Sequence, residues 1–284
     1  MKIGSNFEPS FIATNFLKTM YKKIISFALA TVMMVACTTV PITGRRQLSL
    51  VSESQMQALS YDAYDQFLKE NKLSRDAQAT AMVKRVGQRI QRAVEQYMAA
   101  NNMSDELAGF QWEFNLIEDD QINAWAMAGG KTVVYTGILP VAQNETGLAV
   151  VMGHEIAHAI AKHGSERMSQ QLAQQFGGQT LSALAGSQPG AATNLLYAVY
   201  GVGSQLGLLK YGRTQESEAD RLGLIFMAMA GYNPQEAIPF WQRMEAQSGG
   251  QAPPEFLSTH PSAGTRQQDL RKHMPEALQY YKGN

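Results

Sequence analysis

The chain has 284 residues, 45% of them hydrophobic and 17% charged, enough for one large domain or two small ones with a sizeable core. Lys plus Arg and Asp plus Glu number 24 each, so no net field points to nucleic acid, and none is expected as a partner. A single cysteine, Cys37, excludes an intramolecular disulfide.

Residues 1–19 form an extension ahead of "MYKKIISFALATVMMVAC", Met20 to Cys37. That stretch has a basic start at Lys22 and Lys23, then an apolar run Ile24–Ala36 broken only by Ser26 and Thr31. Its 13 residues are too few to span a bilayer and match the apolar core of a secretory signal. The end, "MVAC", resembles a bacterial lipobox, whose cysteine becomes the lipidated first residue of the mature chain. Cys37 is therefore the expected lipidation site and membrane attachment. Thr38 stands where lipoproteins kept in the inner membrane often carry Asp, so the expected location is the outer membrane, facing the periplasm. Three parts follow: an extension with signal peptide (1–36), a polar tether (37–51) and a folded domain (52–284).

The tether, "TTVPITGRRQLSL", has Pro and Gly and no helical period. From Ser52, Met56, Leu59, Tyr64, Phe67 and Leu68 recur at helical spacing, and a second helix is predicted across Asp76–Ala100. Phe110–Leu116 alternates apolar and polar as a half-buried strand does, and a turn at Gly129–Gly130 leads into another strand with Val133, Val134 and Tyr135. Beyond Gln143 the chain reads as helix or loop. Leu184–Gly207, rich in Gly, Ala and Ser, is expected to link helices, with a mobile flap over a cleft as the alternative. Ser248–Phe256 is a second loop. The fold class is α+β, mainly α-helical, with a small sheet.

His154, Glu155 and His158 spell H-E-x-x-H within "VVMGHEIAHAIAKHG". On a helix, two imidazoles four residues apart share a face and can both reach one zinc at about 2.0–2.1 Å. Glu155 is turned about 100° from His154, placing it as a base for a water rather than as a ligand. Asn144 is the predicted N-cap and Gly164 the left-handed residue that ends the helix. Two histidines and a glutamate in so apolar a helix would be costly without a partner, which argues for a metal. His163 lies about 180° from His154 on a continuous helix, so it is expected to face away, as a surface or second-face histidine. The metzincin pattern also fails, because positions 161 and 164 hold Ala161 and Gly164. For the third ligand, Glu216, Glu218 and Asp220 compete in "RTQESEADRLG". Glu216 and Asp220 share a face while Glu218 points away, so Glu216 as ligand and Asp220 as support is the economical assignment.

H-E-x-x-H followed at a distance by E-x-x-x-D within "ESEADR" resembles the M48 family of zinc metallopeptidases, and within it the bacterial periplasmic lipoproteins. "VPITGRRQLSLVSES" and "INAWAMAGGKTVVYTG" are similar to that branch too. The resemblance implies a zincin-like fold, one Zn2+ held by His154, His158 and Glu216, Glu155 as catalytic base and Asp220 as support. It also implies that Asn123, Ala124, Trp125 and Ala126 form an edge strand along the cleft that pairs with extended substrate. Ala128 stands where the family often has Pro. "STHPSAGTR", Ser258 to Arg266, resembles the family's C-terminal segment and brings His260 or Arg266 to the cleft, to stabilise an oxyanion or guard the zinc; a structural role for His260 is the alternative.

The function expected is a zinc-dependent endopeptidase acting on misfolded or misassembled envelope proteins, with polypeptide substrates and outer-membrane assembly components among its partners. The competing expectation is a membrane-tethered chaperone or scaffold for outer-membrane proteins, with a structural zinc that His260 completes.

Overall fold

The computed structural model describes residue 20 and residues 37–175, 181–187, 190–202, 211–247, 255–260 and 265–283. The extension 1–19, the signal-like run 21–36, the loop 248–254, Pro261, and residues 188–189 and 203–207 of the Gly-, Ala- and Ser-rich stretch lie outside the described residues.

Residues 37–51, expected as a polar tether, carry a hairpin. Strands β1 (Cys37–Thr39) and β2 (Arg46–Leu48) pair antiparallel, Cys37 opposite Leu48. Val40 and Gln47 are buried against the domain. Helix α1 (Glu53–Glu70) starts at a capping box between Ser52 and Gln55 and buries Met56, Tyr64 and Phe67. Helix α2 (Ala77–Ala100) is capped by Asp76, which accepts from the Ala79 N–H, and its stripe of Val83, Val86, Ile90 and Val94 is buried.

The main sheet has three strands, β3 (Glu113–Ile117), β4 (Ala124–Met127) and β5 (Lys131–Tyr135), in the order β3-β5-β4. β3 runs parallel to β5 and β4 antiparallel to it, leaving β4 at an edge. The strand expected from Phe110 begins at Glu113; Phe110 and Trp112 pack on each other ahead of it, with ring centroids 5.0 Å apart. Both faces of the sheet are covered, and every residue of β5 is buried. Trp125, Met127, Val133 and Tyr135 enter one core with α1, while Ala124, Leu116 and Val134 enter the other with α2.

Short helix α3 (Leu139–Ala142) leads into α4 (Glu145–Ile160), whose Asn144 cap accepts from the N–H groups of Thr146 and Gly147 as expected. Every residue of α4 from Gly147 to Ile160 is buried. Next come α5 (His163–Gln175), α6 (Leu181–Ser187), α7 (Ala191–Tyr200) and α8 (Arg213–Met229). The last three helices are α9 (Ala237–Ala246), α10 (Glu255–Thr259) and α11 (Arg266–Leu278). α4 and α8 cross backbone to backbone where glycines remove the side chains. A Cβ on Gly153 would lie 3.0 Å from the Gly223 carbonyl oxygen, and one on Gly223 would lie 3.0 Å from the backbone nitrogen of His154. No helix among the described residues is long and apolar enough to cross a membrane.

The end of α4 departs from expectation. Ala161 closes the helix and Lys162 takes the left-handed conformation, φ 59°. Gly164 falls inside α5, beneath the Tyr200 ring, where a Cβ would collide with the hydroxyl. The chain therefore changes direction one residue before His163.

Candidate metal centre

His154 and His158, one turn apart on α4, point their Nε2 atoms at each other, 3.0 Å apart. Glu216 enters from the first turn of α8, with Oε1 3.4 Å from His158 Nε2 and Oε2 3.6 Å from His154 Nε2. His260 follows directly after α10, its Nδ1 3.0 Å from Glu216 Oε1 and 3.3 Å from His154 Nε2. One donor atom from each of the four lies within 4.8 Å of the others, and none of the four residues is more than 5% exposed.

The outer partners decide which nitrogens carry protons. His154 Nδ1 is 2.9 Å from Asp220 Oδ1, so Nδ1 bears the hydrogen. On the other side, His163 Nε2 lies 2.9 Å from Glu218 Oε2 and donates to it. The His163 Nδ1 is then an acceptor, 2.8 Å from His158 Nδ1, which must donate. Burial holds both His158 and His163 toward the neutral form. Both Nε2 atoms of the H-E-x-x-H pair are thus left with lone pairs, facing each other in a dry interior beside a carboxylate. Two lone pairs so placed repel unless a cation sits among them. Two imidazoles and a carboxylate suit zinc.

His163 does not face away as expected. The turn at Lys162 folds it back under His158, fully buried, as the link between His158 and Glu218. Glu218 does point away from the cluster, but into this second chain of contacts. It is held down to about 2: burial pushes it up, and hydrogen bonds from His163, Thr43 and Arg45 outweigh that. The visible signal for the break was compositional, since the apolar stripe of α4 ends at Ala161 and the following residues are polar.

Glu155 is buried beside the cluster; its Oε1 makes no hydrogen bond among the described residues, and His260 Nε2 lies 3.6 Å from it. Burial raises its carboxyl well above the ordinary value and the nearby Glu216 charge adds to this, while Arg266 and the backbone amide of Ala126 pull it down. For Glu216 burial also pushes upward, but the neighbouring His260 and its hydrogen bond outweigh that and hold it well below its ordinary value. His260 is pushed down to about 4 by burial, against the pull of Glu216. Asp220 accepts from Arg266 Nη2 at 2.8 Å, and the Arg266 guanidinium lies flat over Trp241, 3.4 Å from the ring centroid.

The expected edge strand Asn123–Ala126 starts one residue later, at Ala124, and passes Glu155 through the Ala126 amide. α7 lies beside β4: Ala128 N–H donates to Tyr200 Oη at 3.0 Å, and Asn123 Nδ2 lies 3.4 Å from the Gly201 oxygen. Part of the Gly-rich stretch is therefore helical and sits against the edge. Cys37 is half-buried at the start of β1. Sequence reasoning missed Tyr211, whose ring packs 4.0 Å from that of His158 and 4.7 Å from that of His260, with the Arg167 guanidinium 3.8 Å from its centroid.

A histidine pair one helical turn apart, a glutamate from a crossing helix and a strand running past the intervening glutamate make up the zincin arrangement of metallopeptidases. The sequence profile of peptidase family M48 matches residues 84–274, and the chain belongs to that family. Zinc is the metal of these peptidases. The mitochondrial metalloendopeptidase OMA1 of Schizosaccharomyces pombe is 34% identical over 243 residues, 84% of this chain and 66% of that protein. The human mitochondrial metalloendopeptidase OMA1 is 30% identical over 244 residues, 84% of this chain and 46% of that one. The β-barrel assembly-enhancing protease of Escherichia coli is 34% identical over 169 residues, 56% of this chain and 34% of that protein. The chain thus spans between about a third and two-thirds of the length of these relatives.

Proposed function

We propose that the protein is a zinc-dependent endopeptidase of the cell envelope, with His154, His158 and Glu216 as metal ligands and Glu155 as general base. The observation that carries this is the pair of lone-paired Nε2 atoms converging with a buried carboxylate beside Glu155, whose Oε1 makes no hydrogen bond among the described residues. Bound zinc supplies the Lewis acidity that polarises a scissile carbonyl and acidifies water. Glu155 Oε1 takes the proton of the attacking water and returns it to the leaving amine. Asp220 fixes the His154 tautomer, and Arg266 holds Asp220. The edge of β4 pairs with an extended peptide and sets it across Glu155. The "MVAC" sequence supports lipidation at Cys37 and attachment to the outer membrane on its periplasmic side. Misfolded or misassembled envelope proteins are the proposed substrates, and the likeness to the β-barrel assembly-enhancing protease of Escherichia coli favours outer-membrane assembly components as partners.

Proteolysis tests the mechanism directly. Glu155→Gln keeps stoichiometric zinc and lowers casein cleavage by about 10²–10⁴-fold, the range for a positioned general base. A Glu155→Gln protein that still cleaved casein at the wild-type rate would sink the reading.

His260 favours a second reading. Its Nδ1 stands among the ligand atoms as a fourth donor, and a closed four-donor zinc site is the mark of a structural one. In the peptidase reading His260 and α7 are covers that must move for substrate to enter. His260→Ala then keeps its zinc and cleaves casein several-fold faster than wild type. In the structural reading the same variant loses zinc affinity and gains no activity.

A further inference from the structure

The hairpin that begins at Cys37 reaches the back of the metal centre. Between its strands, Thr43 and Arg45 meet the outermost member of the His158 chain. The Thr43 hydroxyl donates to Glu218 Oε1, and Arg45 Nε donates to Glu218 Oε2 at 2.7 Å. The other nitrogens of the same guanidinium bind Glu166 bidentately, at 3.0 and 2.8 Å, at the start of α5. Glu166 also accepts from Gln215, the residue before Glu216, at 2.7 Å. Glu218 is only 7% exposed and Glu166 also 7%, so Arg45 neutralises two buried carboxylates at once. No other cation contacts Glu218 among the described residues.

We propose that Thr43 and Arg45 are positioning residues for the zinc ligand His158, and that docking of the N-terminal hairpin tunes the metal affinity of the centre. The route is continuous. Arg45 and Thr43 fix the Glu218 carboxylate; Glu218 accepts from His163 Nε2; His163 Nδ1 accepts from His158 Nδ1; and the His158 Nε2 is left as a lone pair aimed at the metal. Remove the two donors and Glu218 is free to rotate toward solvent. A cavity of about 440 Å³, lined in part by Thr43, Arg45, Glu218 and Arg221, opens on that side and gives it room. His163 then loses the acceptor that selects its tautomer, and His158 loses the acceptor that selects its own. The hairpin carries both this support and Cys37, so a pull on the anchor that lifts the hairpin also loosens His158.

The inference rests on the metal centre proposed above, and zinc titration of the full-length protein by competition with a chromophoric chelator separates the two. A wild-type protein that binds no zinc breaks the reading of the centre. If wild type binds one zinc, Arg45→Ala is expected to bind it about threefold to tenfold more weakly, below the 10–100-fold typical of a direct partner of a ligand. Thr43→Val, a near-isosteric change, shifts affinity in the same direction by less and guards against a failure of Arg45→Ala to fold. The decisive arm is a cycle with His163→Ala. In that background Arg45→Ala leaves zinc affinity unchanged, because the link is already cut. The cobalt-substituted protein reports the same step by a shift of its visible band in Arg45→Ala. Unchanged zinc affinity in both Arg45→Ala and Thr43→Val, with only a lower melting temperature, overturns the proposal, as does an equal loss of affinity with and without His163.

Discussion

The two histidines proposed as ligands sit one turn apart on the same helix and are supported in different ways. His154 is held in two steps, by Asp220 from the crossing helix α8 and by the buried Arg266 that holds Asp220 in turn. His158 is held in three, through His163, Glu218 and the pair Thr43 and Arg45, with residues drawn from α5, α8 and the N-terminal hairpin. The first support is short, fully buried and stacked on Trp241. The second ends at a residue whose side chain is 21% exposed, beside a cavity. One side of the centre is therefore built into the core and the other is tied to the surface, and perturbing the centre from outside is easiest through His158.

The largest effect should come from the short support. Asp220→Ala removes the acceptor of His154 and leaves Glu216, at 3.3 Å, as the ion-pair partner of the 3% exposed Arg266 guanidinium among the described residues, with Glu245 acting at longer range. Breaking a buried ion pair in this way costs about 3–5 kcal/mol of stability. Loss of a ligand's carboxylate partner lowers zinc affinity about 10–100-fold. Chelator titration and thermal melts on the same preparation read both. An Asp220→Ala protein with wild-type zinc affinity would show that His154 needs no such support and would remove the basis of the comparison.

The asymmetry also marks what the sequence could reveal. Glu216 and Asp220 lie four apart on one helix, and His154 and His158 likewise, so helix geometry alone put these side chains on common faces. The starts of α1, α2 and α4 were legible for the same local reason: helical spacing opens at Ser52 and Asp76, which the structure shows to be caps, and Asn144 reads as a cap in the sequence itself. The second support defeated the same reasoning because it depends on one backbone angle. A continuous helix turns His163 to the side opposite His154, whereas a left-handed Lys162 folds it under His158. Nothing local marks Lys162 for that conformation over Gly164, and the glycine serves a different purpose, a close approach in which the Tyr200 hydroxyl packs where a Gly164 Cβ would be. Thr43 and Arg45 were further out of reach: they meet Glu218 across 175 and 173 residues of chain, and an irregular polar stretch gives no periodic signal of what it will touch.

His163→Ala tests the long support at its middle. The His158 Nδ1–H loses its acceptor in a buried site, which costs about 1–3 kcal/mol, and zinc affinity falls about tenfold, the low end of the range for a ligand's partner. The effect on stability should be smaller than that of Asp220→Ala, since the Glu218–Arg45 pair stays intact and no charge is stranded. Should His163→Ala bind zinc as tightly as wild type, the contacts beyond His158 only pack the hairpin, and the centre has one working support rather than two.

The smallest change is the one that gives the others meaning. Asp76 caps α2 through a 2.9 Å hydrogen bond from the Ala79 N–H and touches neither support. Asp76→Ala should cost about 1 kcal/mol, the usual price of a lost N-cap, and leave zinc affinity and casein cleavage at wild-type levels. The helix it caps packs on both α4 and α8, so a general loosening of the domain would reach the centre through that contact. If zinc affinity fell in Asp76→Ala in proportion to stability, the losses expected at Asp220 and His163 would report only the stability of the domain. If it holds, those losses belong to the two proton-fixing chains that keep both Nε2 lone pairs aimed at one point.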